Sequence, residues 1–303
     1  MRTDDRRSTL RTTAQSGVTA KPTQPKQAAV PTAPAKSAGW TPQARASSHA
    51  EHTHSHAGHT HELPLVGSRN GGRSRTPDVV SQDLASLMPQ PARATLAGPR
   101  DVANFTFEKG VVGPAKQYTV TVGNHSVKVT MPVGTQQGLH NADIQQVART
   151  LARMPAAALR EVKEVRVSPQ QNPSDAFWAQ KYNRPDFRSY MTAGREGIVR
   201  FYPQTGKFNE KSAASSILHE SGHVWSQREW GGGYTSRQWK AWDNAARADG
   251  TVVSKYGQSS LGEDVSETTA VYLATRGTRQ HDQYRAMFPN RFAILDARFG
   301  AQR

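Results

Sequence analysis

There is no cysteine among the 303 residues. That absence excludes disulfide staples, Cys-ligated zinc and a thiol nucleophile, so any cross-link beyond packing has to come from histidines and carboxylates. No apolar run approaches the roughly 18 residues of a membrane span, and the start, Met1 to Ser8, leads into no apolar stretch of the kind that directs Sec export. Membrane insertion and Sec export are therefore not expected. Acidic residues are few, 24 against 39 Lys and Arg, which leaves a formal charge of +15. The excess is spread out: residues 1 to 100 carry 13 basic against 6 acidic side chains, and the remaining 203 carry 26 against 18. Without a basic run interleaved with aromatics, a dedicated nucleic-acid surface is not expected, and a solvated basic exterior is.

Apolar residues are scarce as well, at 35% of the chain with a mean hydropathy of −0.71. The shortage is concentrated at the front. Residues 1 to 100 are rich in Ser, Thr, Pro, Gln, Ala and Gly and show no sustained helical or strand period, so they are predicted to be a disordered leader. Inside it, His49, His52, His54, His56, His59 and His61 form a tract whose spacing fixes no metal geometry. It reads as a polar segment, with loose metal capture as the alternative. Residues 101 to 303 are predicted to be the folded domain.

Within that domain, residues 118–122 and 125–131 alternate around Gly123-Asn124, a hairpin signal. Asn141 to Met154 places Ile144, Val147, Ala148 and Leu151 on one helical face ahead of Pro155. Val162, Val165 and Val167 lead into a strand, and residues 197–202 form another, expected to edge the functional cleft so that an extended peptide could pair with it. Residues 212 to 229 are predicted to be a helix closed by Gly231-Gly232-Gly233, and Ser236 to Ala248 a helix with Trp239 and Trp242 inward. Glu263 to Leu273 makes a further helix. A small sheet followed by a mainly helical C-terminal part is an α+β arrangement.

The chemistry concentrates in His219-Glu220-Ser221-Gly222-His223. Residues four apart share a helix face, so both imidazoles can converge on one cation, and H-E-x-x-H is the spacing found in zinc hydrolases, where the Glu acts on water rather than on the metal. A hydrolytic zinc takes three protein ligands and leaves the fourth position for water. A metzincin would place its third ligand six residues after the second histidine, but that position is Glu229. Glu263 is the better candidate, with Glu267 one turn later as a group that orients a ligating histidine; the two roles could be exchanged. Read without a metal, the same pair is a solvated helix face.

The span from Ile217 to Leu273 resembles the catalytic domain of the anthrax lethal factor group of gluzincin zinc metallopeptidases. The resemblance rests on His219-Glu220-Ser221-Gly222-His223, on Ser254-Lys255-Tyr256-Gly257, and on Glu263-Asp264-Val265-Ser266-Glu267, including the interval of seven from Tyr256 to Glu263. More weakly it takes in the preceding strand and residues 288–292. It implies a zincin-like fold in which His219, His223 and Glu263 hold Zn²⁺. Glu220 would take the proton of the attacking water, and Tyr256 would donate to the oxyanion. A protein or peptide substrate follows from that. A leader of this composition suits a secreted bacterial effector or toxin exported by a non-Sec route, with a cytoplasmic protein as the alternative. A zincin-fold binding protein that holds peptides without cutting them, or a basic nucleic-acid binder, are the competing functions.

Overall fold

The computed structural model describes residues 54–57, 84–88, 90–181, 183, 185–254 and 256–300. Most of the leader expected to be disordered, with the histidines at 49, 52, 59 and 61, lies outside the described residues; of its described residues, 54–57 and 94–100 are strand and 84–87 are helix. The boundary expected at residue 101 does not hold, because structure begins earlier: Leu84 and Met88 are buried in the main core, and a strand starts at Ala94.

The first elements are β1 (His54–Ala57), the short helix α1 (Leu84–Leu87) and β2 (Ala94–Glu108). β2 pairs antiparallel with β3 (Val111–Val122), which pairs antiparallel with β4 (His125–Pro132). The predicted hairpin is there in register, with Val122 opposite His125 and Gly123 at φ +57°, the left-handed backbone that a two-residue turn demands. β2 was not anticipated, for most of its residues are exposed and the period-2 signal needs one buried face.

After β4 the chain alternates helices and strands: α2 (Ile144–Ala152), α3 (Ala156–Leu159), β5 (Glu164–Val167), α4 (Asp175–Lys181), β6 (Ser189–Ala193) and β7 (Ile198–Phe201). A capping box starts α2: Asp143 accepts from the Gln146 amide at 2.7 Å, and the Gln146 side chain accepts from the Asp143 amide at 2.9 Å. β4, β5 and β7 run parallel, and β6 returns antiparallel to β7. The strand order is β1-β6-β7-β5-β4-β3-β2, a mixed sheet of six strands with β1 added at one edge. One expectation is corrected here. Residues 198–201 are an interior strand between β5 and β6, so β6, not β7, stands toward the edge; with neighbours on both sides, its apolar run marks burial in the sheet.

One face of the sheet presents Val127, Val129, Val165, Val167, Met191, Ala193, Val199 and Phe201 to the helices. Against it lies α5 (Glu210–Trp230), followed by α6 (Arg237–Asp249), a one-turn 3₁₀ segment at Gly257–Ser259, α7 (Leu261–Thr275), α8 (Arg279–Met287) and α9 (Pro289–Phe299). The molecule is therefore mixed α and β, compatible with an α+β class. Trp225, Trp239 and Trp242 are fully buried, and Trp230 meets Trp225 and Trp239 edge to face at centroid distances of 4.6 and 5.0 Å. Among the described residues no helix is long and apolar enough to cross a membrane.

Candidate metal centre

α5 is unusual in being buried on every side from Ala213 to Gln227 while carrying Ser, His and Glu in its middle turns. A surface helix would show an apolar stripe; this one has none, because it is covered on all faces. Asn209 caps its start by accepting from the Lys211 and Ser212 amides, and Gly231, at φ +79°, ends it as the glycine run led one to expect. Two of its buried side chains bond locally or to the neighbouring helix. Ser221 Oγ donates to the Leu218 carbonyl at 2.6 Å, and Trp225 Nε1 donates to Thr269 of α7 at 3.2 Å.

The helix that crosses it, α7, is buried from Gly262 to Thr275. Its start is fixed by Ser260, whose hydroxyl accepts from the Glu263 amide at 3.2 Å. The two helices pack tightly at Gly222, where a Cβ would lie 2.5 Å from the Ser266 Cα. Glycine is required here for proximity rather than for backbone freedom. That contact brings the Glu263–Glu267 face of α7 against the His219–His223 face of α5.

The outcome is a tight triangle of ligand atoms. His219 Nε2 and His223 Nε2 are 3.0 Å apart, and Glu263 Oε2 lies 3.1 Å from the first and 3.2 Å from the second. All three residues are buried and form a group able to hold a metal ion. Four ligands around zinc at bonds of about 2.0–2.1 Å lie about 3.3 Å from one another, so the spacing suits a small tetrahedral cation. On its other side, His219 Nδ1 meets Glu267 Oε1 at 2.6 Å. That contact orients the ring and keeps Nε2 turned to the triangle, the arrangement that commonly supports a ligating imidazole. The two carboxylates therefore take separate places, Glu263 among the converging atoms and Glu267 behind His219. Burial acts to lower the His219 pKa, but the bonds from Glu263 and Glu267 outweigh it and hold it at about 10.

Glu220 is fully buried beside this cluster. Burial pushes its carboxyl up to about 8; the Glu263 charge adds to the rise, while His219 and the Ala193 backbone amide oppose it. A carboxyl poised near neutrality can both take and return a proton. Tyr256 stands next to His219, with ring centroids 5.8 Å apart. Its turn is locked by Ser254, whose hydroxyl accepts from the Gly257 amide at 2.8 Å. Glu229, the position at which a metzincin carries its third ligand, takes no part in the cluster: its carboxylate pairs with Arg298 at 2.7 Å and Arg228 at 3.6 Å.

Comparison with protein families, curated proteins and solved structures found no match. The site therefore rests on its own geometry.

Two supporting residues were not legible in the sequence. Ala193 on β6 contributes only a backbone amide, which leaves no trace in residue type. Arg291 on α9 is fully buried and reaches the residue beside Glu263: Nη1 donates to Asp264 at 2.6 Å, Nε to Asp249 at 2.9 Å and Nη2 to the Thr251 carbonyl at 2.7 Å. Trp242 Nε1 completes the cage on Asp264 at 2.7 Å. The signal for Arg291 was an arginine in a segment, Phe288 to Leu295, where Asn290 is the one other polar residue, and a buried cation has to have buried anions nearby.

Proposed function

We propose that this chain is a zinc-dependent endopeptidase of zincin-like fold, acting on a protein or peptide substrate. The observation that carries the reading is the pair of contacts made by His219: Nε2 in the triangle with His223 and Glu263, and Nδ1 on Glu267. Two imidazoles, one carboxylate and a carboxylate behind the first imidazole form the donor set of hydrolytic zinc, and the ligand spacing fits that ion. When held by His219, His223 and Glu263, zinc would acidify water toward neutrality and polarise a carbonyl as a Lewis acid.

The chain's own residues supply the rest. Glu220 receives the proton of the attacking water on its carboxylate and delivers it to the departing amine as the C–N bond breaks. Tyr256 donates its phenolic hydrogen to the oxyanion developing on the attacked carbonyl. Glu267 holds the His219 ring in orientation, and burial of the cluster keeps competing water away from the proton on Glu220. With the leader's composition, the reading extends to an exported effector that acts away from the cell that makes it.

The test compares wild type with Glu220→Gln for bound metal and for cleavage of a proteome-derived peptide library. The expected result is equal zinc content in the two proteins, with hydrolysis lowered by about 10²–10⁴-fold in the variant. Equal cleavage by both, or none by the zinc-loaded wild type, overturns the proposal.

A further inference from the structure

The strand β1 comes from the region where the sequence predicted only a leader, yet it lies antiparallel on β6, with His54 opposite Ala193, Ser55 opposite Thr192, His56 opposite Met191 and Ala57 opposite Ser189. The polar groups of β6 alternate in direction. The Gly194 amide donates to Ile198, and the Tyr190 carbonyl accepts from Tyr202, so residues 190 and 194 face β7. Residues 191 and 193 then face the other way, toward β1. β6 also packs on α5, the helix that carries the candidate centre, and the Ala193 amide stands against the Glu220 carboxyl. A strand on this edge is therefore read through its backbone directly beside the proton-carrying group.

We propose that residues 54–57 of this same chain are the resident occupant of the β6 edge, in the place an extended peptide would take, and cover the centre in cis. Recognition is by backbone pairing, so the ligand class is an unstructured peptide segment able to add as an antiparallel strand. β1 suits a replaceable occupant. It is four residues long, its register shifts between His56 and Ala57, and residues 58–83 separate it from the next described helix. A peptide of another protein must displace it to reach Glu220. The binding claim stands by itself, while its consequence for cleavage rests on the peptidase reading above.

The experiment uses the full chain and a double variant, Ser55→Pro with His56→Pro, since proline removes the amide donor and its ring obstructs a paired strand. The same two prolines at Ser8 and Thr9 serve as the control. Two quantities are read: hydrogen exchange at the Met191 amide, and affinity for a fluorescent synthetic peptide copying residues 50–61. Exchange at Met191 at least tenfold faster, with at least tenfold tighter peptide binding, in the 55/56 variant alone supports the proposal. Equal values in wild type and both variants overturn it. Exchange in the wild type that accelerates on dilution also overturns it, because a second copy would then supply the strand. If the peptide binds more tightly to the zinc-loaded 55/56 variant and yet no peptide is ever cut, the inference stands and the peptidase reading falls.

Discussion

Helix α7 carries two buried polar clusters on adjacent residues, and they solve the same electrostatic problem in opposite ways. At Asp264, the charge is met by a guanidinium of the chain itself: Arg291 bridges Asp264 and Asp249, and Trp242 adds a hydrogen bond. At Glu263, the carboxylate converges instead with two imidazole nitrogens, at 3.1 and 3.2 Å. Imidazole and carboxylate oxygen are both electron-pair donors, and three donor atoms so close together need a proton or a cation between them. The first cluster is an internal clamp, complete in itself; the second is arranged to receive. Even with Arg291 in place, burial raises the Asp264 pKa above the usual carboxylate range. The clamp ties α7 to α9 and to the end of α6 through Arg291.

Breaking the clamp has the largest expected effect on the fold. Arg291→Met leaves Asp249 and Asp264 buried without their cation and is expected to cost about 3–5 kcal/mol of stability, read from the urea midpoint. Replacing Asp249 and Asp264 by apolar residues in the same background should recover most of that loss, because an apolar cluster needs no counter-ion. On the receiving side, the proposed peptidase function predicts that Tyr256→Phe lowers kcat by about 10²–10³-fold with zinc content unchanged, which steady-state kinetics and metal analysis measure together. Gly222→Ala forces α5 and α7 apart at Ser266, so about 1–3 kcal/mol of stability should be lost, together with zinc affinity, since the spacing of both helices sets the triangle. The smallest effect is expected at Glu267→Gln. An amide still contacts His219 Nδ1 but supports it less strongly, so zinc affinity measured by competition with a chelator should fall by about 10–100-fold.

Much of the fold could be read from the chain. The hairpin at Gly123-Asn124, the helix begun by Asp143, and the helices at 210–230, 237–249 and 261–275 all carried local signals, in the form of turn residues, caps and spacing. β2 was missed because an exposed outer strand has no buried face to give it a pattern. The edge of the sheet was assigned to residues 197–202 rather than to 189–193 because strand order is not a local property. The boundary expected at residue 101 came too late for a related reason. Leu84-Ala85-Ser86-Leu87-Met88 is a mostly apolar run of only five residues at the end of a polar region, too short to show a period, and only the core that Leu84 and Met88 enter shows that they belong to it.

By itself, the sequence determined the donor types and their spacing: two histidines one helical turn apart with a glutamate between them, a second helix with glutamates at 263 and 267, and a tyrosine seven residues before the first of these. Covalent connection and helical periodicity are enough for that, since both act within a few residues. Tertiary structure alone decided which carboxylate joins the imidazoles and which stands behind one, because that depends on the crossing of α5 and α7 at Gly222 and on the clamp at Arg291. It also decided that β6 forms the edge beside Glu220 and that residues 54–57 lie on it. Contacts between distant segments are selected by packing and backbone pairing across the whole domain, and no local run of residues encodes them.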